Sequence, residues 1–112
     1  MTDKIAYKVL TAEEWTALSA GAFHGAPIDI ADGFIHLSTA SQLTETVDRH
    51  FSGRQGLVIA AIDLVALGDA VRWDPSRHGQ LFPHVYAPLN REVVIAWCPL
   101  ARHANGTVRL PT

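Results

Sequence analysis

Cysteine is almost absent from this chain. The single Cys98 excludes an intrachain disulfide, and that usage predicts a cytoplasmic protein. Charge is scarce as well: Asp, Glu, Lys and Arg make up 18% of the 112 residues, against roughly 25% in an average domain. A disordered chain is polar and highly charged, so disorder is excluded. The nine basic residues are scattered and never cluster. A nucleic-acid partner needs a basic stripe and an acidic membrane a polybasic patch, so neither is expected. No apolar run approaches the ~18 residues that would span a bilayer. The opening Met-Thr-Asp-Lys lacks the charged and apolar regions of a signal peptide.

Several motifs are also missing. Without Gly-x-Gly-x-x-Gly or a Walker loop, the common dinucleotide and triphosphate cradles are unsupported. Without His-Glu-x-x-His or Cys-x-x-Cys, the common zinc signatures fail, and no residue is assigned to a metal. No Gly-x-Ser-x-Gly elbow occurs. Cys98 lies in an apolar run and reads as a structural thiol.

What is present is a hydrophobic fraction of 48% and six histidines. The length predicts one domain, residues 1–112, able to bury a core without staples. Alternation predicts a strand at Ile5–Leu10. Thr11-Ala12-Glu13-Glu14 then reads as a capping box opening a helix to about Ala20. Residues 22–32 read as a loop around Pro27, closed by the turn signal Asp32-Gly33. A short strand follows at Phe34–Ser38, with Phe34, His36 and Ser38 on one face. Thr39 and Gln42 suggest a second capping box and a helix to about Phe51, with a Leu43/Val47 stripe.

Leu57–Asp63 is the most apolar run and reads as a central strand buried on both faces. Leu64–Leu67 reads as a helical turn and Val71–Trp73 as a short strand. Asp74–Gln80 reads as loop, Phe82–Tyr86 as extended, and Val93–Cys98 as a late strand. An edge strand is expected at Val108–Leu110. With helices early and strands late, the expected class is α+β: two N-terminal helices on a mostly antiparallel sheet.

Two segments can carry chemistry. In Gly33-Phe34-Ile35-His36-Leu37-Ser38-Thr39 a histidine interrupts a short apolar strand. Its ring must be hydrogen-bonded inside or face a cleft. Ser38 lies one pleat repeat along. The second segment, Trp73 to Tyr86, gathers Ser76, Arg77, His78, His84 and Tyr86 around a loop. Arg77 offers a planar fork suited to phosphate or carboxylate. His84 and Tyr86 alternate onto one face. His24, His50 and His103 read as structural or solvated. Asp63 can orient a histidine or cap the turn that follows it.

Tyr7-Lys8-Val9-Leu10-Thr11, the Gly33–Thr39 segment, Ser76-Arg77 and Phe82-Pro83-His84-Val85-Tyr86 resemble a bacterial family known as domain of unknown function 952. The likeness runs over nearly the whole chain. More distantly, the order resembles the core of the ADP-ribosyltransferase superfamily, in its RNA 2′-phosphotransferase branch. Tyr7-Lys8 would stand at the first-strand position, where the branch has His-Gly-Thr. His36 would stand in the His-x-His-Leu-type strand, and Pro83-His84-Val85-Tyr86 resembles a Pro-Pro-x-Tyr/Phe segment. The resemblance implies that Tyr7 and His36 hold the ribose and nicotinamide ends of NAD. The first-strand histidine is absent, and the arginines that grip RNA phosphate have no counterpart beyond Arg77. Glu92 is no assigned catalytic glutamate.

The expectation is therefore an ADP-ribosyltransferase-like core with His36 and His84 as catalytic residues. Tyr7, Ser38, Trp73, Ser76, Arg77 and Tyr86 are expected to bind the ligand, with Ser38 supporting His36. No cofactor is required; NAD enters as a substrate. The partner is a small molecule, with oligomeric state unassigned. Two alternatives stand beside this: a non-catalytic module for a small anionic metabolite, and a metal-dependent hydrolase using His36, His84 and Asp63 or His78.

Overall fold

The structure, a computed structural model, describes residues 3–112. Strand β1 (Ile5–Leu10) leads into helix α1 (Ala12–Ala20). The Thr11 hydroxyl accepts from the Glu14 N–H at 3.1 Å, and the Glu14 carboxylate accepts from the Thr11 N–H at 2.9 Å, closing the expected capping box. Thr11→Ala is expected to cost about 1 kcal/mol, read as a lowered midpoint in urea unfolding.

Residues read as loop contain helix α2 (Pro27–Asp32). Pro27 stands at its first position, where no N–H is needed, and Gly33 closes it in a left-handed conformation at φ 89°. Asp29 reaches back to accept from the Ala26 N–H at 2.8 Å. The helix carries no apolar stripe: Ile28 and Ile30 are exposed. Periodicity therefore could not announce it. Gly25, at φ 134°, lets the chain pass close by, since a Cβ there would lie 2.8 Å from the Asp29 Cβ.

Strand β2 is only Ile35–His36. Helix α3 (Leu43–His50) starts later than expected, because Thr39–Gln42 forms turns in which Gln42 accepts from the Thr39 N–H. Then come β3 (Val58–Asp63), the short α4 (Leu64–Leu67), β4 (Val71–Pro75), β5 (Leu81–Val85) and β6 (Val94–Pro99). Strand β4 runs two residues into the expected loop. It is an edge strand, where a terminal proline costs little. The expected edge strand at Val108–Leu110 reduces to one bridge, Arg102 to Val108.

The class is α+β: the described residues form four α-helices and two three-stranded antiparallel sheets, ordered β1-β3-β6 and β2-β5-β4. Residues 35–38 join them. Ile35 and His36 pair with Val85 and His84 of β5, while Ser38 exchanges both backbone hydrogen bonds with Tyr7 of β1. Strand β3 is buried on both faces, as its composition predicts. Val58, Ala60 and Ile62 join a core with Ala6, Leu10, Leu18 and Val85; Leu57 and Ile59 join a second with Val9, Leu43 and Val47. The pleat of β1 thus sends Lys8 toward the first core and Tyr7 toward the second. No helix of the described residues is long and apolar enough to cross a membrane.

Candidate functional site

A cleft of about 700 Å³ opens where the two sheets part. That lies within the ~300–1,000 Å³ range typical of small-molecule sites. Strand β1, the 35–38 stretch, β5, α3 and the Ser76-Arg77 turn all contribute to its walls.

His36 is fixed from beneath. Lys8 and Asp29 are both almost fully buried, and their Nζ and Oδ2 stand 2.9 Å apart. Lys8 also donates to the His36 carbonyl at 3.1 Å. Asp29 accepts from the His36 N–H at 3.1 Å and contacts the ring Nδ1 at 2.6 Å. On the other side, Nε2 stands 2.9 Å from the half-exposed Asp32 carboxylate. The expectation for His36, inside and bonded or else facing a cleft, is met in both halves at once.

Burial pushes the Asp29 carboxyl up, but the His36 hydrogen bond and the Lys8 charge outweigh it and hold the group at about 2, against an ordinary 3.8. The unfolded chain therefore binds this proton first as pH falls. The contribution is complete above the unfolded value and is lost as pH falls through the window from 3.8 to about 2. Its size is about 2 kcal/mol. Urea midpoints are expected to fall steeply across this window, and Asp29→Ala to flatten that segment of the curve.

His84 stands directly opposite His36 across the β2–β5 ladder, ring centroids 5.3 Å apart. Its Nδ1 lies 2.8 Å from the Asp74 Oδ2, and the Tyr86 hydroxyl donates to the same oxygen at 2.8 Å. Phe34 stacks on its ring at 4.1 Å. Burial pushes the imidazole pKa down most strongly, and the neighbouring His36 adds to this, against the Asp74 hydrogen bond that raises it. Asp74 in turn is held low by its bond to His84. With Nδ1 committed to Asp74, Nε2 is the free nitrogen of a ring that lines the cleft.

Arg77 anchors the far wall. Its Nη2 donates to the Thr46 hydroxyl at 3.1 Å, and its guanidinium lies 5.1 Å from the Phe82 ring centre. Its Nε and Nη1 are buried with no hydrogen-bond partner. The nearest carboxylate oxygen, on Glu45, is 3.7 Å from Nε, within ion-pair range but beyond a hydrogen bond. Unpaired buried donors on a cation are costly and call for a missing acceptor.

The Ser38 hydroxyl makes no hydrogen bond to His36, which it is expected to support. It is 2.8 Å from that of Thr46. The Thr46 hydroxyl is also 3.1 Å from the Gln42 carbonyl, and in the Ser38–Thr46 contact either hydroxyl can donate. Tyr7 lines the cleft, its phenol held neutral by burial and by the nearby Asp3 charge.

Six of the eight expected residues line this one cleft: Tyr7, His36, Ser38, Ser76, Arg77 and His84. Two do not. Trp73 packs against the first core, and Tyr86 borders a separate hollow of about 290 Å³ with Phe34 and His24. Asp63 caps α4, accepting from the Val65 and Ala66 N–H groups, and His78 bonds Arg49. The ligand set of a metal hydrolase is thus not assembled, and no group of three His, Cys, Asp or Glu side chains fit to hold a metal occurs among the described residues. Cys98, its thiol pushed up by burial, keeps its structural reading.

Sequence reasoning missed Asp29, Asp32, Asp74 and Thr46. A proline followed two residues later by an acid is a helix-start signal and would have flagged Asp29.

Fold and site together define an α+β protein of two short antiparallel sheets with a cross-strand histidine pair at their junction. Residues 9–97 match the family described as "Protein of unknown function (DUF952)", and the chain belongs to that family. It is similar to protein CC0527 from Caulobacter crescentus. The crystal structure of that protein shares 41% identity, with a TM-score of 0.85 over 95% of this chain and 94% of that one. Its solution NMR structure also shares 41% identity, with a TM-score of 0.79 over 95% and 91%. No curated protein matches the chain.

Proposed function

We propose that this cleft binds an NAD or ADP-ribose type ligand, on an ADP-ribosyltransferase-like core, and acts on its ribose. The observation that carries the reading is the convergence of Tyr7, His36, Ser38, Ser76, Arg77 and His84 on one cleft of about 700 Å³. Arg77 has two buried nitrogens, Nε and Nη1, without acceptors, which a diphosphate oxygen would supply. The Ser38 hydroxyl and the Tyr7 phenol suit sugar hydroxyls. His36, fixed by Asp29 and Asp32, and His84, fixed by Asp74, hold their rings still without help from the ligand. Chemistry would rest on positioning and on fixed charges around a ribose that gains positive character as nicotinamide leaves.

Titration calorimetry with NAD and ADP-ribose tests this. Saturable heat with either supports it, and no heat with both at millimolar ligand overturns it. The Arg77 donors also favour a second reading, a module that binds a small anionic metabolite without turnover. Release of nicotinamide from NAD, detected by mass spectrometry, separates the two.

A further inference from the structure

We propose that His84 is the general base of this cleft, with Asp74 a positioning residue, and that the nucleophile it activates is water; this rests on the NAD reading above. The Asp74 Oδ2 accepts a hydrogen bond from His84 Nδ1–H at 2.8 Å, which fixes the tautomer and leaves Nε2 as the acceptor. Tyr86 donates to the same carboxylate oxygen, and Phe34 closes one face of the ring. His36 differs: carboxylates engage both of its nitrogens, so it has none free to accept a proton. Of the two adjacent rings, only His84 therefore leaves a nitrogen free to act as a base.

The step balances. As the water oxygen bonds to C1′ of the ribose, the C1′–N bond breaks and its electron pair leaves with nicotinamide. The water proton passes to His84 Nε2 and then to solvent. The charged and titratable groups around His84 are Asp74, Tyr86, His36, Asp32 and Arg72, its register partner on β4. Asp74 raises the His84 pKa against burial, so its removal should lower that pKa further.

The test combines NAD hydrolysis across pH with ADP-ribose calorimetry on the wild type, H84Q and D74N. The expected result is that both variants still bind ADP-ribose saturably while hydrolysis falls about 100-fold or more in H84Q, a loss far larger than any change in affinity. In D74N a smaller loss is expected, with the acid limb of kcat moved to lower pH, a shift that a merely structural role would not produce. Asp74 is partly exposed, so D74N keeps the test open if H84Q fails to fold. Wild type that binds ADP-ribose but does not hydrolyse NAD overturns the proposal alone. So does full activity in H84Q, or an unmoved acid limb in D74N. Wild type that binds neither ligand overturns the NAD reading and this proposal together.

Discussion

Asp29→Ala is expected to destabilise the protein by about 3–5 kcal/mol, the usual cost of stranding one member of a buried ion pair. At this chain length that is a fall in Tm of roughly 15 °C or more. The size follows from what one carboxylate serves. It neutralises Lys8, which is 7% exposed at its side chain and has Phe23 beside it. It satisfies the Ala26 N–H at the start of α2, and it accepts from both the backbone and the ring of His36. With the carboxylate gone, the Lys8 charge stays in the core uncompensated. Lys8→Met/Asp29→Leu is therefore expected to be more stable than Asp29→Ala, because no charge is left behind. It should not reach wild type, since the cap and the His36 contacts are still lost. Thermal melts of the three proteins check this. Equal Tm values for wild type and Asp29→Ala would remove the foundation assigned to His36.

Arg77→Ala is expected to weaken ADP-ribose binding about 10- to 100-fold, the loss of one or two hydrogen bonds to a charged group. Stability should move little by comparison. In the free protein two of the three guanidinium nitrogens are already unpaired, so truncation removes a cost along with the Thr46 bond and the packing on Phe82. Arg77→Lys should recover only part of the affinity, because an ammonium lacks the planar fork. Calorimetry with parallel melts separates the two effects. Unchanged affinity in Arg77→Ala would move the diphosphate away from this wall.

The strands were legible from local signals, the alternation over 5–10 and the unbroken apolar run over 57–63. Residues 57 to 62 place Leu57 and Ile59 in one core and Val58, Ala60 and Ile62 in the other. Helix α1 was legible from its cap. Helix α2 was not, because its exposed Ile28 and Ile30 break any inner stripe and its value lies in Asp29. Pro75 reads as a loop residue and ends the expected strand at Trp73, which hides the Asp74 that holds His84. His36 and His84 stood out singly as histidines in short strands. Their direct opposition is a matter of register between segments 48 residues apart in sequence (84 minus 36), and pairing of that kind is set by the packed sheet. Trp73 packs against the core, because an aromatic beside a polar loop serves a core as readily as a ligand.

The most direct measurement of the central claim is an amide NMR titration of the wild-type protein with ADP-ribose. The account predicts saturable shifts at Tyr7, His36, Ser38, Thr46, Arg77 and His84, the groups lining the cleft where the two sheets part. It predicts little change along β6, at the far edge of the first sheet. Saturable shifts centred on β6, or none at millimolar ligand, would contradict it.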